Sequence, residues 1–95
     1  MARNVNLAIP ANTWVELSNA DVTEMRVQNL RLADVLLQAS VGSVEPADNN
    51  GCIVLPAGSI WTPELTVAEI WPGLAGANRV WAFSSTDTVL SVSHA

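Results

Sequence analysis

Lysine and tyrosine are missing from this chain of 95 residues, and cysteine, histidine and phenylalanine each occur once. Each gap removes a class of chemistry. Without lysine there is no side-chain amine for a Schiff base. The one histidine, His94, is the penultimate residue, so a Ser–His–Asp set has no other base to draw on. Its expected place is a polar position on a terminal or edge strand. A cysteine nucleophile would need the same activating base, and Cys52 lies inside the apolar run CIVL, where a small buried hydrophobe is expected. A lone cysteine also excludes an internal disulfide and any multi-cysteine metal site, and it fits a chain made in a reducing cytosol.

Charge is scarce as well. Asp, Glu, Lys and Arg together make up 14% of the chain, against about 25% in ordinary globular domains. The basic residues are Arg3, Arg26, Arg31 and Arg79, and the formal net charge is −5. Four dispersed arginines on an acidic chain do not make a phosphate-neutralising patch, so nucleic acid is not an expected partner. The same balance argues against anionic membrane surfaces. No window approaches the ~20 apolar residues of a membrane span, and MARNVNLAIP lacks the ~7–15-residue apolar core of a signal peptide.

Other constellations are incomplete. Glu64 and Glu69 are five apart, which places them on different faces of a helix and on opposite faces of a strand. Asp48-Asn49-Asn50 resembles the start of a calcium loop but lacks the alternating acids and the closing glutamate; a solvated turn is expected. The stretch from Gly73 to Gly76 lacks the Lys and Ser/Thr of a phosphate cradle. No catalytic residue, cofactor site or metal site is expected, and an enzyme is not.

What remains is a rhythm of short strands and turns. Val5, Leu7 and Ile9 alternate with polar or small residues over 3–9, and Pro10-Ala11-Asn12 ends the run. Further strands are expected at 13–17, 24–30, 34–40, 52–55, 78–84 and 88–94. Residues 22–39 also admit a helical reading through Leu30, Ala33 and Leu37. The β-branched Val22, Thr23, Val27 and Val35 favour two strands joined near 31–33. Residues 42–50 form the longest loop. An extended path is expected at 60–63, and 65–71 reads as a strand or one helical turn. Ser85-Thr86-Asp87 has hairpin length and composition. In all, a single domain spanning 1–95 is expected, all-β, a small antiparallel sandwich or barrel of about seven or eight short strands.

Four tryptophans stand out in so short a chain: Trp14, Trp61, Trp71 and Trp81. Three readings compete. They fill the core, at ~150–250 Å² each; they anchor a protein interface; or they stack against a sugar. Either Trp81 with Phe83 or Val80 with Ala82 should face the core, and Trp14 is expected to do likewise. Trp61 and Trp71 lie beside Pro63 and Pro72. Together with Leu55, these four residues are the expected interface contacts.

The segments LPAGSIWTPELTVAEIWPG (55–73) and NRVWAFSSTDTVLSVSHA (78–95) resemble small structural proteins of tailed bacteriophages. The resemblance rests on turn pattern and covers roughly half the chain. It implies a β-sandwich bound in many copies to a virion. The expected function is a capsid decoration or cement subunit on the head surface, made in the host cytoplasm. Its expected partners are the major capsid protein or another virion protein and further copies of itself. A tail or fibre component with a carbohydrate-binding surface is the alternative. Strands 3–9 and 88–94 are the expected places for pairing between subunits.

Overall fold

The computed structural model describes residues 2–61 and 66–95. In chain order these residues form β1 (Arg3–Ile9), β2 (Val15–Glu16), β3 (Arg26–Asn29), β4 (Val35–Ser40), β5 (Ile53–Leu55), β6 (Ile60–Trp61), the single helical turn α1 (Val67–Ile70), β7 (Arg79–Phe83) and β8 (Thr88–His94). The strands make two four-stranded antiparallel sheets. Sheet I has the order β1-β8-β3-β6 and sheet II the order β2-β7-β4-β5. This is the all-β sandwich that the strand rhythm implies.

Period-two alternation decides which side chains meet between the sheets. Sheet I turns Ile9, Val27, Leu90 and Val92 inward, all buried. Sheet II answers with Val35, Leu37, Ala39, Leu55, Val80 and Ala82, also buried. Each large aliphatic side chain so covered contributes roughly 1.5–3 kcal/mol. Polar residues enter this core as well, among them Asn29, Thr88 and His94. Asn29 is fully buried, and its side-chain amide donates to Ala33 O (2.6 Å) and Leu55 O (3.2 Å) while its Oδ1 accepts from Arg31 N–H (3.1 Å). It therefore pins the β3–β4 connection and the end of β5 to sheet I.

α1 closes one end of the sandwich. Thr66 caps it with a reciprocal capping box to Glu69. Val67, fully buried, enters the core, and its N–H donates to Thr23 O at 2.8 Å. Of the two readings open for residues 65–71, the helical turn is therefore the one adopted; Leu65 lies outside the described residues.

Four expectations are corrected. Ser85-Thr86-Asp87 is not a hairpin turn. β7 belongs to sheet II and β8 to sheet I, so the connection crosses the sandwich. It is held by Asn12 N–H on Ser84 O (2.7 Å) and by Ala11 N–H on the Asp87 carboxylate (2.8 Å). CIVL is not a buried strand throughout, and Cys52 is not a fully buried hydrophobe. β5 is an outer strand of sheet II with Val54 54% exposed, and Cys52 sits just before it, half-buried. Finally, β8 is interior to sheet I, bonded to β1 on one side and β3 on the other. Strand 88–94 thus has no free edge for a neighbouring subunit. His94, expected on a loose terminal or edge position, points inward from β8 and is buried.

Candidate protein-binding face

The two outer faces of the sandwich differ in chemistry. On sheet I the outward residues of β1, β8 and β3 include Asn4, Asn6, Ser91, Ser93, Arg26 and Gln28, and Arg26 donates to Ser91 Oγ at 3.1 Å. That face is polar. On sheet II the outward positions of the central strands carry Trp81 and Phe83 from β7 and Leu36 and Gln38 from β4. Val54 of β5 lies beside Leu36. Trp14, just ahead of β2, packs against Phe83 with ring centroids 5.2 Å apart and planes at 46°.

Local sequence explains this placement. In RVWAF the small Val80 and Ala82 fit the narrow space between the sheets, so Trp81 and Phe83 must point out. The pair Val80/Ala82 is thus the one that faces the core. Trp14 departs from its expected core position: it is half-buried on the outside, its ring tilted against Phe83.

The face is divided along its length. At one end Arg79 bridges Glu16 (3.2 Å) and Asp21 (3.0 Å), and Ser43 Oγ donates to Glu16 at 2.7 Å. The Asp21 carboxylate above all, and Glu16 with it, hold the Arg79 guanidinium above its ordinary pKa against the opposing effect of burial. In the middle Trp81 is covered. Its indole N–H donates to Ser40 Oγ (2.9 Å), while the Gln38 amide bonds Asn50 O in the β4–β5 loop folded over it. At the other end Trp14, Leu36 and Phe83 line an open depression of about 280 Å³, rimmed by Asp48 and Asn49. Exposed Val54 adjoins Leu36 there.

Asp48 also shapes its own loop. Its Oδ1 accepts from Asn50 N–H at 3.0 Å within an exposed turn, as expected of Asp48-Asn49-Asn50. Burial, and secondarily the Asp48 charge, push the Cys52 thiol above its ordinary pKa. Among the described residues, no three His, Cys, Asp or Glu side chains gather where they could hold a metal ion.

The interface residues expected from sequence are not on the outer face of sheet II. Leu55 and Trp71 are each 5% exposed and belong to the core. Trp61 packs edge-on against Trp71, with centroids 6.0 Å apart, and Trp71 Nε1 donates to Gly51 O at 3.0 Å. These two rings tie β6, α1 and the β4–β5 loop together. Pro72 is exposed, and Pro63 and Glu64 lie outside the described residues. A second depression, of about 620 Å³, runs between residues 46–51 and 70–74 with Trp71 and Pro72 in its wall. The signal that marks the sheet II face was present in the sequence: two large rings alternating with two small residues, on a strand flanked by apolar ones. No protein-family model, curated protein or solved structure matches the chain.

Proposed function

We propose that this chain is a virion structural protein that binds the outer capsid surface as a decoration or cement subunit. It would stabilise the shell by contacts with the major capsid protein and would catalyse nothing. The observation that carries the binding reading is the apolar end of the sheet II face, where Trp14, Phe83, Leu36 and Val54 lie open beside one another. An aromatic cluster on a rigid sheet, rimmed by polar groups, has the composition of a protein-binding hot spot. The phage head as the place of binding comes from the resemblance of segments 55–73 and 78–95 to small virion proteins. Repetition over a symmetric shell would give avidity to single contacts that are individually weak.

Binding to purified heads stripped of this chain tests the proposal. The native chain should saturate a repeating set of sites. Phe83→Ser with Leu36→Ser should keep the fold, because both side chains lie outside the core. This variant should weaken binding at least tenfold, the loss expected when hot-spot side chains are removed. Unchanged binding by the double variant would remove the sheet II face from the proposal.

One further observation favours a tail or fibre component. Trp14, half-exposed, shares its depression with Asp48 and Asn49, a set that could stack a pyranose and hydrogen-bond its hydroxyls. A change in Trp14 emission on titration with host surface glycan, with no binding to heads, would support that reading over the head surface.

A further inference from the structure

β1 is the one long outer strand among the described residues, with seven residues; the other outer strands, β2, β5 and β6, have two or three. The hydrogen bonds around β3 fix which of its backbone groups are free. Leu30 N–H donates to Val89 O (3.2 Å) at the end of the β3–β8 ladder, and Asn29 N–H donates to Ser59 O (3.0 Å) on the opposite side of β3. Backbone groups alternate sides along a strand, so Val89, Ser91 and Ser93 of β8 face β3, and Thr88, Leu90, Val92 and His94 face β1. Their partners on β1 are Ile9, Leu7, Val5 and Arg3. The N–H and C=O groups of Asn4, Asn6 and Ala8 therefore point away from the sheet, and no described residue bonds to them.

Among the described residues, nothing guards this edge. It has no proline or lysine, and its pairing with β8 runs without a bulge from Arg3 to Ile9. The strand's single charge, Arg3, is at its end and is drawn to Leu17 O of the opposite layer at 3.1 Å. Val5 faces the core side yet is 41% exposed, because no neighbour lies beyond it.

We propose that two copies of the chain pair β1 with β1, antiparallel, across a two-fold axis at Asn6. Sheets I of the two copies then form one continuous eight-stranded sheet. In this register Asn4 meets Ala8 of the second copy, and Asn6 meets Asn6 of the second copy. These are the residues whose backbone groups are free, so each pair exchanges both N–H···O bonds. On the core side Val5 lies beside Leu7 of the second copy, which covers its exposed surface. Arg3 lies beside Ile9 of the second copy, so no like charges meet. The strand carries no carboxylate, so two chains of net charge −5 join along a strip without negative charge. The second copy is favoured over an unrelated strand because this register satisfies every free group with the same residues on both sides. It stands apart from the head-surface reading, since the isolated chain is sufficient to reveal it.

An edge of seven residues is small against the ~1,600 Å² of a standard interface, so a weak dimer is expected, with Kd in the micromolar to submillimolar range. Sedimentation equilibrium of the full chain from micromolar to millimolar concentration should show monomer passing to dimer. Asn6→Pro removes only an outward N–H and should abolish the dimer with the melting temperature nearly unchanged. For a covalent readout, Asn6→Cys on a Cys52→Ser background should cross-link two copies, because facing Cα atoms at ~5.5 Å suit a disulfide. Asn4→Cys on the same background should not, since the two Asn4 positions are four residues out of register. A chain that stays monomeric at millimolar concentration overturns the proposal. So does a dimer indifferent to Asn6→Pro, or equal cross-linking at positions 4 and 6.

Discussion

Two buried polar side chains show how differently the same kind of residue can behave in this core. Asn29 is fully buried with both ends of its amide bonded. Asn29→Ala strands the Leu55 and Ala33 carbonyls, at a cost of about 2–4 kcal/mol, and thermal unfolding should fall by about 10–20 °C. Thr88 is also buried, but its hydroxyl has no hydrogen-bond partner among the described residues. Thr88→Val keeps the shape and removes an unsatisfied group, so stability should rise by about 1 kcal/mol. Both changes are read by calorimetry on the same chain. Cys52 gives a third expectation. Burial, then the Asp48 charge, disfavours its thiolate, so alkylation at neutral pH should be slower than for a free thiol, and Asp48→Asn should speed it. The sign follows for stability. The contribution of the neutral thiol is full below the ordinary thiol range and is lost as pH rises through the raised value in the folded state.

At the scale of elements, the helical turn is the most exposed to local chemistry. α1 has four residues, too few to hold by propensity alone, and its capping box fixes where Val67 enters the core. Thr66→Ala should cost about 1 kcal/mol in denaturant unfolding, without loss of cooperativity. The strands themselves were legible from alternation. Residues 3–9, 34–40 and 88–94 carry the clearest two-residue period, and the observed strands follow them to within a residue. Their pairing was not legible. Apart from the β4–β5 hairpin, every connection passes from one sheet to the other, so strands adjacent in sequence are seldom adjacent in space. A turn such as Ser85-Thr86-Asp87 reads the same whether it reverses a hairpin or crosses a sandwich, since local residue preferences set only the bend. The site shows the same limit. Tryptophan beside proline suggested exposure at Trp61 and Trp71, but the two rings pack edge-on against each other and Trp71 bonds into the β4–β5 loop. Trp81 and Phe83, which alternate as a core strand would, face outward because Val80 and Ala82 take the inner positions.

For the molecule as a whole, sparse charge does not mean an incomplete fold. The accessible surface of 4965 Å² is slightly below the ~5,300 Å² of a typical monomer of this mass. The radius of gyration of 11.8 Å is near the ~12 Å of a folded chain this long. The isolated chain should therefore fold without partners, and the case for assembly rests on two particular places. One is the open aromatic end of sheet II and the other is the unguarded edge of β1. They lie on different sheets, so a subunit can hold a shell through one and a second copy through the other. Counting this chain in purified virions by quantitative mass spectrometry, against the major capsid protein, tests the central claim most directly. Hundreds of copies per particle, in fixed ratio to the capsid subunit, are the expected result; a handful, or none, would contradict a head-surface role.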